Sequence, residues 1–303
     1  MTQLRRVTQN TDILGECPLW SEQEQALYWI DIRRPAIQRW HPASDAMRTW
    51  PMPDIIGSIA LCGNGRLLVA SRSLHYLDTA TGKLTRLVKQ AAEDPTLRFN
   101  DGKCDRQGRF WVGTMNDVTK ARVGALYRTD RGGCVRIEDG YHVPNSTCFT
   151  VDGRTMYFGD SEQQAIFAFA LDPATGQLGP RRVFAKTTLP AVPDGATVDI
   201  EDHVWVAEYG GWRVTRLAPD GSVARVIEMP VQNPTSCTLG GSRLETLYVT
   251  TASQRLSPEE LANNRWPAHC SRSSRACAAC RNRTSSVNPP SGNERPGYRL
   301  VAG

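Results

Sequence analysis

Several features are missing from this 303-residue chain, and each absence removes a class of function. No apolar run approaches the roughly 20 residues of a membrane span, so no membrane partner is expected. The opening MTQLRRVTQNTD holds no apolar core of a signal peptide, and the cytoplasm is the expected compartment. A basic stripe is also lacking. The net charge is +5, but residues 265–303 carry seven Arg, no Lys and one acid, Glu294, a net of +6. The rest sums to −1, so nucleic acid is not an expected partner. His41, His75, His142, His203 and His269 are scattered without ligand spacing and read as surface or structural residues. Ser71, Ser146 and Ser236 stand outside any GxSxG, which argues against a serine nucleophile. Nine cysteines are an odd count and a poor fit to a disulfide framework. Most of Cys17, Cys62, Cys104, Cys134, Cys148 and Cys237 read as small buried apolar residues in or beside strands. Cys277 and Cys280 form a CxxC with no partner pair, which is weak ground for zinc.

What is present is a repeat. Six short apolar strands follow polar turns: LYWI (27–30), LLVA (67–70), FWVG (110–113), MYFG (156–159), VWVA (204–207) and LYVT (247–250). Their starts lie 40, 43, 46, 48 and 43 residues apart. A period of about 40–50 residues built from strands and turns predicts a β-propeller. A second alternating strand follows in five repeats: IQRW, LHYL, ALYR, IFAF and VTRL. Turn chemistry and a further strand come after most of these, as in DTATGKLTRLV, DPATGQLGPRRVF and APDGSVARVIEM. The expected fold is all-β, a six-bladed β-propeller over residues 1–264. A sandwich of short strands is the alternative, but it has no reason to repeat at this period.

The sixth repeat breaks. After LYVTTAS comes SPEELA, a helical turn capped by Ser257 with Glu260 three residues on. A strand like IFAF should follow, but residues 265–303 show no alternation, few aliphatics and many Ser and Arg. Back-translated with GC-rich codons and moved back one base, Trp266 through Arg283 can read LAGALFALEPGVRGLPEP, and GALFAL is the missing strand type. The reading is an incomplete last blade followed by a frame-shifted, disordered tail; a natural disordered tail is the alternative. An incomplete blade leaves an unpaired edge. A chain with the alternative ending is therefore expected to melt higher than this one, and equal melting temperatures would count against the frame shift.

Polar residues recur just ahead of the strands, at a matching phase of four repeats. Glu16 sits in LGECPLW, Asn100 and Asp101 in LRFNDGKCD, Asn145 in VPNSTCF and Asp194 in VPDGATVD. A propeller can gather such oxygen-bearing side chains at its channel mouth into a hard cage for a cation. Taken singly, Asn-Asp-Gly and Pro-Asp-Gly are also strong turn signals. Trp29, Trp111, Trp205 and Trp212 read as blade packing. Trp212, in the glycine-flanked EYGGWRV, is the exception that could reach the channel mouth.

From about residue 12 to about residue 262 the chain resembles the gluconolactonase and regucalcin (senescence marker protein) family of six-bladed propellers. The matching motifs are LGECPLW, RFNDGKCDRQGRFWVGTM, PNSTCFTVDGRTMYFGDS, PDGATVDIEDHVWVAEYGGWRV and NPTSCTLGGSRLETLYVT. The resemblance implies a divalent metal held by Glu16, Asn145 and Asp194, with Arg98 and Asn100 contacting substrate. It implies hydrolysis of a sugar lactone to the aldonate, a water attacking a metal-polarised carbonyl with Asp194 as base. Arg98 would fix sugar hydroxyls or stabilise negative charge through its donor fork. Two carboxylates and an amide favour calcium, with magnesium, manganese or zinc as alternatives. Where the family often places an acid after GTM, this chain has Asn116 and Asp117, and the sequence does not choose between them. A non-catalytic calcium-binding or interaction propeller is the competing function. The sequence leaves the oligomeric state open.

Overall fold

The computed structural model describes residues 4–9, 11–88, 94, 96–130, 133–264 and 271–273. They form six four-stranded antiparallel sheets and one short helix. A short strand, β1 (Leu4–Arg6), precedes the first blade. That blade is β2 (Gly15–Ser21), β3 (Ala26–Asp31), β4 (Ala36–His41) and β5 (Ala46–Pro51). The second is β6 (Ser58–Cys62), β7 (Arg66–Ala70), β8 (Leu74–Asp78) and β9 (Leu84–Val88). The third is β10 (Leu97–Cys104), β11 (Phe110–Asn116), β12 (Gly124–Asp130) and β13 (Gly133–Tyr141). The fourth is β14 (Pro144–Phe149), β15 (Thr155–Asp160), β16 (Ala165–Ala170) and β17 (Arg182–Lys186). The fifth is β18 (Val192–Val198), β19 (Val204–Tyr209), β20 (Arg213–Leu217) and β21 (Val223–Glu228).

These five blades are complete meanders of consecutive strands. The sixth sheet is built differently. It holds β22 (Pro234–Gly240), β23 (Thr246–Thr251), β24 (Ser271–Ser273) and, from the other end of the chain, β1. β24 pairs with β23 on one side and with β1 on the other. Against an expectation of six blades with the last incomplete, the chain thus forms five regular blades and one composite closing sheet. Three residues of the segment read as a structureless tail supply a strand of that sheet. Residues 265–270 and 274–303, where the expected frame shift and the CxxC fall, lie outside the described residues. The helix α1 (Pro258–Asn263) carries the capping box read from the sequence: Ser257 Oγ accepts from Glu260 N, and Glu260 accepts from Ser257 N.

The aromatic-rich strands are apolar throughout because both their faces are covered. In β11 the side chains of Phe110 and Val112 face the second blade, while Trp111 packs toward the fourth. Six hydrophobic clusters separate neighbouring sheets in cyclic order. The last joins the first blade to the sixth sheet through Trp20, Trp29, Trp40 and Tyr248, with Trp20 stacked on Tyr248 at 5.6 Å. Three tryptophans read as packing residues also donate to buried carboxylates: Trp29 to Asp12, Trp111 to Asp105 and Trp205 to Asp199, each at 2.9 Å. In the predicted turns, Asp78, Asp172 and Asp220 each accept from the backbone N–H two residues on. No helix among the described residues is long and apolar enough to cross a membrane.

The inner strands lie close together. A Cβ on Gly195 would stand 2.0 Å from Ser236 Oγ on the next inner strand. Gly195→Ala is therefore expected to lose about 1–3 kcal/mol of stability through overpacking. Ser236→Gly in the same chain should restore part of it. Urea denaturation of the three chains measures both effects, and a neutral single substitution would contradict this packing.

Candidate active site

The innermost strands of the propeller do not run straight. The register between β2 and β3 shifts between Glu16 and Leu19, and that of β10 and β11 between Phe99 and Gly102. The shift in β14 falls between Asn145 and Cys148, and in β18 between Pro193 and Ala196. A β-bulge bends its strand and re-aims a side chain. Glu16, Asn100, Asn145 and Asp194 all stand at these irregularities, so the phase seen in the sequence is the phase of the bulge. The residues after Glu16 and Asn145 are held in the left-handed region, Cys17 at φ 48° and Ser146 at φ 55°. Such backbone strain in non-glycine residues collects at functional sites. By contrast β6 pairs with β7 without interruption, and the second blade contributes no lining residue to the site.

Glu16, Arg98, Asn100, Asn145 and Asp194 line one cavity of about 270 Å³ at one end of the channel. Four sheets contribute to its wall, with the loop after β23 adding Gln254 and Arg255. Asn145, Asp194, Arg98 and Asn100 are buried. The Glu16 and Asp194 carboxyls face each other directly, and Asp101 lies close to both. Burial, then the charge of Asp101, pushes the Glu16 carboxyl up to about 8. Burial, then Glu16 and Asp101, pushes Asp194 well above the ordinary carboxylate range. Burial also raises Asp101, whose carboxylate accepts from Thr147 N at 2.7 Å.

None of the three acids has a salt bridge among the described residues. Buried like charges without a counterion are costly, and a cation between them removes the cost. Asn145 supplies a neutral oxygen beside them. Its Oδ1 accepts one bond, from Asn100 Nδ2 at 3.1 Å, and its Nδ2 donates to Ser161 Oγ at 2.8 Å. The donor set therefore fits a hard divalent cation.

On the other side of the cavity Arg98 is fixed in place. It donates to Asn100 Oδ1 at 2.7 Å, to the Phe99 carbonyl at 3.0 Å and to Asp117 Oδ1 at 2.8 Å. Asp117 also takes a two-pronged contact from Arg33, at 2.6 and 2.9 Å. Burial works to raise the Asp117 carboxyl, but the hydrogen bonds from Arg33 and the charge of Arg98 prevail and hold it at about 2. This resolves the choice after GTM. Asp117 lines the cavity, whereas the buried Asn116 turns away, donating to Thr96 and accepting from Val118 N and Thr119 N.

Two buried aspartates escaped the sequence reading. Asp31 accepts from Ile13 N and Leu14 N, and Asp160 from His142 N and Val143 N. Each ends the second strand of its blade and ties down the chain just before Glu16 or Asn145. They share a repeat phase with Glu208, and that recurrence is the signal that could have found them. Arg33, Lys120, Tyr209, Gln254 and Arg255 also line the cavity from loops and strand ends, without motif spacing. Trp212 does not line it.

A second acidic group, Asp199, Glu201 and His203, brings three ligand-type atoms together. Asp199 borders a cavity at the opposite end of the channel. Its carboxylate is already engaged by Glu201 N, His203 N, Trp205 Nε1 and Arg216. That pattern describes a blade-packing aspartate, and the carboxyls at the first cavity are the better cation donors.

A carboxyl held below its ordinary value of 3.8 stabilises the fold above that pH, and the contribution fades as pH falls toward 2. Asp117→Asn is thus expected to lose on the order of 2 kcal/mol near neutral pH and much less near pH 2. Urea denaturation at the two pH values reads this, and an equal deficit at both would remove the two arginines as the cause.

Comparison with known proteins follows the same lines. The SMP-30/Gluconolactonase/LRE-like region matches residues 14–253. The 6-deoxy-6-sulfogluconolactonase of Pseudomonas putida is 38% identical over 272 residues, covering 87% of this chain and 91% of that protein. The L-arabinolactonase of Azospirillum brasilense is 34% identical over 266 residues, covering 85% and 86%. The crystal structure of regucalcin from Agrobacterium tumefaciens, described as a calcium-binding protein, superposes with a TM-score of 0.86 at 28% identity, over 90% of this chain and 94% of that one. The bulged inner strands, the all-β ring and these likenesses agree: the chain belongs to the SMP-30/gluconolactonase/LRE-like family.

Proposed function

We propose that this protein hydrolyses a sugar lactone to its aldonate with the help of a divalent cation, calcium before magnesium, manganese or zinc. Lactone hydrolysis itself is supported by relatives named as lactonases. The observation that carries the full reading is the meeting of Glu16, Asn145 and Asp194 with Arg98 and Asn100 in one cavity. Glu16, Asn145 and Asp194 would hold the cation, which when bound polarises a carbonyl and acidifies a water.

The remaining work falls to side chains. Asp194 lines the cavity between the cation side and the bound lactone, so its carboxylate can take the proton of the attacking water and pass it to the departing ring oxygen. Arg98 has most of its donors spent on Asp117, Phe99 and Asn100, which fixes its plane. The Nη2–H left over is aimed by that locking, and it serves a sugar hydroxyl or the developing oxyanion. The Asn100 amide bridges to Pro144 O and Asn145 Oδ1, coupling the substrate side to the cation side. We infer also that the composite sheet serves as the sixth blade, since its hydrophobic contacts close the ring against the first.

A non-catalytic calcium-binding role is the second reading, and the calcium-binding description of the regucalcin structure favours it. It gives no account of an arginine locked toward the cavity. A pH-stat assay on gluconolactone, arabinolactone and xylonolactone, with and without chelator, separates the two. Asp194→Ala should abolish lactone opening. Glu16→Ala should weaken calcium binding, read by calorimetry, by about a hundredfold, the loss of one charged ligand. Full activity of either variant in metal-free buffer overturns the scheme.

A further inference from the structure

The charges around the cavity do not cancel once its acids are assigned. Resting on the lactonase reading, Glu16 and Asp194 neutralise a divalent cation, and Asp101 is set against the charge of Lys103. Arg33 and Arg98 share the single carboxylate of Asp117, which leaves one positive charge. Lys120 is matched by Glu162 at 3.3 Å. Arg255 lines the same cavity and has no hydrogen bond or ion pair among the described residues. It is exposed, which puts it at the rim, and its backbone is held at φ 65°. The cavity therefore carries a surplus of two positive charges, one of them unpartnered at the entrance.

We propose that the preferred lactone carries an anionic group, of the sulfonate, phosphate or carboxylate class, on the carbon remote from the reacting carbonyl, and that Arg255 at the mouth receives it. A neutral sugar lactone leaves the Arg255 guanidinium unmatched. A terminal anion pairs with it and is drawn toward the site by the positive field. Arg255 selects the substrate and takes no part in the chemistry.

The test compares glucono-1,5-lactone with its 6-phosphate and its 6-sulfonate analogue, using calcium-loaded protein at low and high salt. The anionic lactones should show kcat/KM about tenfold above the neutral one, and salt should shrink that advantage. Arg255→Glu should lower the anionic-to-neutral ratio by at least about tenfold, mainly through KM, with Arg255→Lys keeping part of it. A neutral lactone turned over as well as the anionic ones, or a ratio unmoved by Arg255→Glu, overturns the proposal. If no lactone is opened at all, the hydrolytic reading fails separately. Calorimetry with 6-phosphogluconate against gluconate then decides: tighter binding of the phosphate that is lost in Arg255→Glu supports the anion site, and equal binding overturns it.

Discussion

Three carboxyl groups held together away from water are the costliest feature of this molecule. The proton affinities of Glu16, Asp101 and Asp194 all rise: burial acts on each, and repulsion by neighbouring carboxylates adds to it at Glu16 and Asp194. A fold tolerates this only if the surrounding frame cannot relax. Here the frame is a ring of inner strands tied across blade boundaries. Asn100 reaches Pro144, Ser146 Oγ donates to the Asp194 carbonyl at 2.5 Å, and Ser161 Oγ donates to Pro193 O at 2.7 Å. Thr235 Oγ1 donates to Gly15 O, linking the closing sheet to the strand that carries Glu16. Each bond joins a residue of one blade to the backbone beside a site residue of the next. Separating the acids would break several of these bonds at once, so they stay poised for a cation.

Stability and chemistry occupy different parts of the same strands. The aromatic second strands are packed on both faces and set the spacing of the ring. The inner strands begin at the acidic cavity and end at the opposite face, where Leu19, Trp20 and Phe149 border the second cavity. The bulges mark the passage between the two regimes. Below them, the pairing is regular and apolar; at them, polar side chains turn inward. The second blade shows the control case: its inner strand has no register shift, and it brings nothing to the site.

The legibility of the sequence follows from this division. LYWI, FWVG and VWVA could be read as strands because burial on both faces demands continuous apolar residues. Glu16, Asn100, Asn145 and Asp194 could be read because bulges recur at one phase of the repeat. Asn116 and Asp117 could not be told apart, since the choice depends on which side of a strand end meets Arg33 from another blade. Arg33 and Arg255 come from loops whose positions follow from ring closure, not from local pattern. Asp31 and Asp160 were hidden inside aromatic strands, where an acid reads as a strand end. β24 was missed because a strand of Ser-Arg-Ser shows no alternation, and its place rests on backbone pairing with β23 and β1.

The ring closes through two kinds of contact. Backbone hydrogen bonds carry no information about side chains, so a short polar segment can complete a sheet that its sequence does not advertise. The hydrophobic part of the closure is supplied elsewhere, by Trp20, Trp40 and Tyr248 between the first blade and the sixth sheet. The two contributions are separable: the aromatic contacts hold the blades in register, while β24 and β1 cover the outer edge of β23. The acidic cavity depends on the first of these, because Glu16 rides on the strand that Trp20 anchors.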